Sequence, residues 1–204
     1  MNRELIVRSD SNSVDFALLK EGKLTELHRD ENDHNFNVGD ILIAKIRKPV
    51  TGLNAAFVNV GYEKDAFLHY HDLGPQLKSM LKFIKGVQSG RIKDFALKNF
   101  PLEKDIDKNG SIKDAVKSNQ SLLVQIVKEP ISTKGPRISS ELSIAGRFLV
   151  MVPFSDRVSV SQKIGSKEEK DRLKRLVQSI KPKGFGVIIR TVAEGKKVAE
   201  LDKD

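Results

Sequence analysis

Between Thr51 and Leu68 the chain reads Thr-Gly-Leu-Asn-Ala-Ala-Phe-Val-Asn-Val-Gly-Tyr-Glu-Lys-Asp-Ala-Phe-Leu. Two apolar runs, Ala55–Val60 and Ala66–Leu68, flank a short polar turn, Gly61-Tyr-Glu-Lys-Asp65. Strand residues on both sides of a Gly-bearing turn predict a β-hairpin, which commits the middle of the chain to antiparallel sheet. Each arm carries one aromatic, Phe57 and Phe67, and Lys45, Arg47 and Lys48 lie just upstream. Two aromatics on adjacent strands beside cations resemble the stacking platform of a single-strand nucleic-acid binder. The same two side chains can also be ordinary core, because apolar strand residues usually face inward.

The sequence on either side extends the sheet. Gly39-Asp-Ile-Leu-Ile-Ala-Lys-Ile46 is a turn followed by a strand, and Ser121-Leu-Leu-Val-Gln-Ile-Val-Lys128 is another strand. Several short strands with turn chemistry between them suit a five-stranded OB barrel over residues 36–140. From 73 to 119 the strand signal gives way to a long insertion, expected to be a partly helical, mobile excursion. Leu77, Met80, Leu81 and Ile84 have helical spacing there, among many lysines. Residues 141–204 read as a small α/β unit separate from the barrel. Ser166-Lys-Glu-Glu169 matches a capping box, Leu173, Leu176, Val177 and Ile180 form one stripe, and Gly186-Val-Ile-Ile-Arg-Thr191 is a strand ending in two polar residues. Residues 1–35 are a β-meander, with strands expected at Arg3–Arg8, Val14–Lys20 and Leu24–His28 and too few apolar residues for a core of its own. A polar linker, Arg29–His34, separates it from the barrel.

Charge divides the chain the same way. Residues 1–35 hold 5 Lys/Arg against 8 Asp/Glu, residues 36–140 hold 17 against 10, and residues 141–204 hold 14 against 9. The body behind the first segment is basic enough to attract a polyanion, most plausibly nucleic acid. There are no cysteines, which removes disulfides, thiolate zinc sites and cysteine nucleophiles and suits a reducing cytoplasm. No apolar run is long enough to span a membrane, and the N-terminus has no signal-peptide pattern. His28, His34, His69 and His71 lack cysteine or carboxylate partners at ligand spacing, so they read as surface histidines rather than a metal site.

Six motifs then fall in one order: Ala55-Ala-Phe-Val58, Ala66-Phe-Leu68, Val124-Gln125 with Lys128-Glu129, Thr133-Lys-Gly135, Ser143-Ile-Ala-Gly146 and Ile189-Arg-Thr191. Together they resemble the N-terminal part of the bacterial ribonuclease E/G family, nearest its ribonuclease G branch. The resemblance implies an α+β chain: a partial ribonuclease-H-like β segment (1–35), an OB-fold RNA-binding barrel with the 73–119 insertion (36–140), and a 5′-sensor α/β domain (141–204). It implies single-stranded RNA as partner and a cytoplasmic, homo-oligomeric parent endoribonuclease acting in rRNA and mRNA processing and decay. In the family Mg²⁺ serves a later catalytic domain and a Cys-Pro-x-Cys zinc link joins subunits. No cofactor and no catalytic residue is therefore expected in this chain, which reads as a truncated piece without cutting activity of its own. A stand-alone OB-fold RNA-binding protein is the alternative.

Residue by residue, the resemblance places Arg190 and Thr191 on the 5′-monophosphate of the RNA, where a planar guanidinium can take two oxygens and a hydroxyl can donate a third bond. Gly146 and Val150 match positions that approach the first nucleotide. Phe57, Phe67 and Lys134 match barrel residues that contact single-stranded RNA, and Lys45 joins them as a basic neighbour. Two departures stand out. Gln162 replaces an arginine that assists phosphate binding in ribonuclease E, with Lys163 as partial compensation, and Leu42-Ile-Ala44 stands where Tyr-Lys-Gly is frequent.

Overall fold

The structure, a computed structural model, describes residues 2–11, 13–31, 36–130 and 134–204. It comprises two compact units, Met1–Asn37 and Val38–Asp204. In the first, β1 (Arg3–Ser9), β2 (Ser13–Lys20) and β3 (Lys23–Glu31) form an antiparallel meander in that order. The turn Glu21-Gly22 has φ of 52° and 74°, the left-handed pair that matches strand twist in a two-residue hairpin. Arg29 holds Asp15 across the sheet at 2.6 Å. Strand β3 runs through the start of the expected linker, whose residues 32–34 lie outside the described residues. Leu5, Ile6, Val7, Leu24 and Leu27 are all exposed within this unit, and none of residues 2–11 and 13–29 is buried.

In the second unit, β4 (Ile41–Val50), β5 (Ala55–Asn59), β6 (Ala66–His69), β7 (Ser121–Lys128) and β8 (Arg137–Ser139) close a barrel in the order β4-β5-β6-β8-β7. All neighbours are antiparallel except β6 and β8. A closed five-stranded barrel with this order is consistent with an OB-like fold. Alternation along each strand sends Ala44, Ile46, Ala56, Val58, Leu68, Leu122, Val124, Ile126 and Ile138 inward, where all are buried.

The 73–119 stretch is partly helical, and its apolar residues pack into the unit. Helix α1 (Leu77–Gln88) and the short α2 (Ile112–Ala115) bury Leu77, Met80, Ile84 and Ile112, with Leu73, Leu97 and Val116 between and around them. Asn54, in the left-handed region at φ 45°, accepts from the Ile112 N–H at 2.7 Å and donates to the Gly110 carbonyl at 3.2 Å. The Tyr70 hydroxyl donates to the Asp107 carbonyl. Isolated polar loops in sequence thus become pinned loops, because barrel side chains satisfy their backbone groups. Toward the chain's other half, Asp105 pairs with Arg157 at 2.7 Å. Gly184, at φ 84°, has no room for a Cβ beside Leu97.

After the barrel come β9 (Ile144–Ala145), β10 (Leu149–Pro153), β11 (Val158–Val160), α3 (Lys167–Ile180), β12 (Phe185–Ile189) and α4 (Val198–Lys203). The sheet order is β11-β12-β10-β9, with β11 parallel to β12 and the rest antiparallel. Ser166 caps α3 by accepting from the Glu169 N–H at 3.2 Å, and Leu173 and Val177 pack on Leu149, Ile164, Val187 and Ile189. Barrel and sheet lie within one compact unit. Gln125 on β7 ties them by donating to the Ser143 carbonyl at 2.8 Å and accepting from its N–H at 2.9 Å. No helix among the described residues is long and apolar enough to cross a membrane.

Candidate nucleic-acid interface

Barrel alternation decides where the two hairpin phenylalanines go. Ala56 and Val58 point inward on β5, as do Ala66 and Leu68 on β6, so Phe57 and its cross-strand partner Phe67 point outward. Phe57 keeps 38% of its surface exposed, and the two rings meet edge to face with centroids 6.1 Å apart. They are not barrel core. Lys48 stands opposite Phe57 on β4, and Phe67 pairs with Arg137 on β8. Lys48, Phe57, Phe67 and Arg137 therefore form one row across four strands. A register shift between Ile46 and Lys48 exposes both Arg47 and Lys48. Arg47 is held by Asp65 at 3.1 Å, and Arg137 is gripped in two-pronged fashion by Asp72 at 3.1 and 3.0 Å.

Lys45 is exposed one step along β4, opposite Asn59. Lys134 is exposed as well. The next residue, Gly135, passes so close to the Asp65 carbonyl that a Cβ would collide with it, which carries the loop past the start of β6. Thr133 lies outside the described residues. Arg137 was not among the residues singled out from sequence, because a three-residue strand behind a Pro/Gly-rich loop has no periodicity to reveal it.

The second cluster forms where parallel β11 and β12 end. Ser161 N–H donates to the Ile189 carbonyl at 2.9 Å, so the Ser161-Gln-Lys163 loop and Arg190-Thr191 leave the sheet side by side. The β9–β10 turn joins them: Arg190 N–H donates to the Phe148 carbonyl at 2.9 Å, and Arg190 Nη1 donates to the Gly146 carbonyl at 2.7 Å. Arg190, Thr191 and Lys163 are exposed and Gly146 is half-buried. Val150 sits opposite Ile188 and lines, with Ile144 and Val152, a groove of about 930 Å³ between sheet and barrel.

Residues 143–204 match the family model described as the ribonuclease E/G family. Over all 204 residues the chain is 33% identical to ribonuclease G of Escherichia coli strain K12, spanning 38% of that protein. It is 34% identical over 201 residues (98% of the chain) to ribonuclease G of Haemophilus influenzae, spanning 37% of it. It is 33% identical over 189 residues, 92% of the chain, to ribonuclease E of Nostoc sp., spanning 23% of it. This chain is a ribonuclease E/G-family region. It spans less than half the length of these curated relatives.

Within this region a carboxylate that sequence reading passed over organises the sheet-edge cluster. Asp204 accepts the N–H groups of Arg147 (2.8 Å), Phe148 (3.0 Å) and Leu149 (2.9 Å) in succession, filling the concave backbone of the β9–β10 turn. Burial is the largest single influence and raises its pKa. The three N–H bonds and the nearby Arg190 charge outweigh it, so the carboxyl lies below the ordinary aspartate value. A Cβ on Gly146 would collide with that carboxylate, which explains a glycine there. No spacing in the sequence links position 204 to position 146. Only the packing of α4 does.

Glu169 fixes the loop beyond Thr191. It grips Arg172 through two bonds of 2.6 Å and accepts the Gly195 N–H at 2.8 Å, while Arg172 donates to the Lys196 carbonyl at 3.0 Å. The Arg172 guanidinium first, and the Gly195 N–H second, lower the Glu169 pKa to about 2. The capping box is thus half formed: Ser166 performs its part, and Glu169 is engaged elsewhere. His69 and His71 stack on one another at 5.1 Å beside the barrel. Among the described residues no three of His, Asp and Glu are grouped to hold a metal.

Proposed function

We propose that this chain is the RNA-binding and 5′-monophosphate-sensing part of a single-strand-specific endoribonuclease. The reading rests above all on one observation: Phe57 and Phe67 stand outside the barrel between Lys48 and Arg137, in a chain related over its whole length to ribonuclease G and over 92% of it to ribonuclease E. Aromatic faces stack on bases of any sequence, and flanking cations hold the backbone on either side. The barrel would hold an unpaired strand without reading its sequence.

The sheet-edge cluster is the candidate 5′ reader. The Gly146 carbonyl holds one N–H of Arg190, and among the described residues the guanidinium makes no other hydrogen bond. Its remaining N–H groups are free to meet a terminal phosphate, with the Thr191 hydroxyl beside them. Lys163 adds charge on the adjacent loop where Gln162 supplies none.

The test is fluorescence titration of two short single-stranded RNAs that differ only in a 5′-monophosphate or 5′-hydroxyl. The phosphorylated strand should bind more tightly. Arg190→Ala should abolish the difference while leaving hydroxyl-end binding in place. Equal affinities for both strands in the parent chain would sink the sensor assignment. Phe57→Ala should weaken both strands alike, by about 1–3 kcal/mol if one base is lost from the stack.

A further inference from the structure

Between Lys82 and Pro101 the insertion opens a cavity of about 510 Å³, lined by none of the residues of the two clusters described above. That volume is within the range of about 300–1,000 Å³ common for small-ligand sites. Its apolar lining is Phe83, Ile92 and Phe100. Phe83 and Phe100 meet edge to face at 5.4 Å, and both abut the buried Phe154, which fixes the wall. The rim is cationic: Lys82, Lys85, Arg91 and Lys93 against Asp94 alone. Lys82 is engaged by Glu103 at 2.5 Å. Lys85, Arg91 and Lys93 form no ion pair among the described residues. Phe95, next to Asp94 in the chain, is 64% exposed.

Three uncompensated cations around an aromatic-walled recess suit a ligand that has a flat apolar body with negative charge directly beside it. A nucleotide has that form, and a chain of nucleotides presents one phosphate on each side of every base. We infer that this cavity is a second docking site for single-stranded RNA, taking one base against Phe83 and Phe100 with the adjoining phosphates on Lys85, Arg91 and Lys93. The inference rests on the RNA-binding reading above. It gives the insertion a role in holding a strand that also crosses the barrel, since two linked contacts act at high effective concentration.

The experiment uses a long 5′-hydroxyl single-stranded RNA containing 4-thiouridine, with the parent chain, Lys85→Gln/Lys93→Gln and Phe57→Ala. Both lysines are exposed, so circular dichroism and the melting temperature of the double variant should match the parent. Photo-crosslinks should map to residues 82–101, and the double variant should lose several-fold in affinity. Its plot of log K against log salt should flatten by about 1.4, because a single strand contributes about 0.7 per phosphate contact. If the parent fails to bind RNA at all, the RNA-binding reading itself falls. If Phe57→Ala weakens binding but the double variant does not, with or without crosslinks at 82–101, only the second site is overturned. Adenosine 5′-monophosphate is the other probe: its saturable binding, lost in a double variant whose RNA affinity is unchanged, would assign the cavity to a free nucleotide instead.

Discussion

Asp204 shows how much one side chain can arrange. Its carboxylate ties down three successive N–H groups, and the turn so fixed presents the Gly146 carbonyl to Arg190. Asp204→Asn keeps the shape but loses the charge and one good acceptor. The expected result is a few-fold smaller preference for the 5′-monophosphate strand, with hydroxyl-strand affinity unchanged, read by the same titration. Gly146→Ala displaces the carboxylate sterically and should act in the same direction, with a lower melting temperature as well. Because Asp204 as a residue is exposed, solvent screening should bring the stability cost below the ~1.5–3 kcal/mol of charged hydrogen bonds, to about 1 kcal/mol. A variant that kept full discrimination would show that Arg190 needs no such support.

At the level of elements, α3 is what anchors the loop that follows Thr191. Leu173 packs at 0% exposure against the sheet, so Leu173→Ala should cost about 2–5 kcal/mol in denaturant unfolding. The Glu169–Arg172–Gly195 bonds join the first turn of the helix to the chain leaving Thr191. Their pH dependence has a definite sign. Glu169 titrates near 4.5 when unfolded and at about 2 when folded, so unfolding takes up a proton between those values. The stabilisation is full above pH 4.5 and is lost as pH falls toward about 2. Melting curves of the parent and Glu169→Gln should therefore differ most above pH 4.5 and converge near pH 2. A gap that stayed constant down to pH 2 would show that the carboxylate charge is not what holds the loop.

Across the whole molecule, stability should be unevenly spread. The barrel and the sheet each bury a set of apolar side chains, whereas the β1–β3 meander leaves Leu5, Ile6, Val7, Leu24 and Leu27 exposed within its own unit. Strands in which none of residues 3–9, 13–20 and 23–29 is buried are held by their ladder and by pairs such as Arg29–Asp15, which is marginal in water. Amide hydrogen exchange should find residues 3–31 unprotected long before Ile46, Val58 and Leu122, whose amides belong to a closed ladder. Equal protection in both regions would mean that the meander has a core partner.

The residues alone were enough for four of the five barrel strands (β4 to β7), the α3 stripe and the ordered motifs, because alternation, helical spacing and glycine turns are local and repeat within a few positions. They also placed Arg190 and Thr191 at a strand end. They left Phe57 and Phe67 divided between core and surface, since alternation gives two faces without saying which is inside. Barrel closure settled that, by filling the interior with Ala56, Val58, Ala66 and Leu68. The insertion looked loose because its apolar residues are spread over many positions, and it is tied to the barrel because Asn54 and Tyr70 bond to its backbone from outside. The row through Arg137 and the Asp204 turn are likewise tertiary, as strand register and helix docking join residues that no period in the sequence connects.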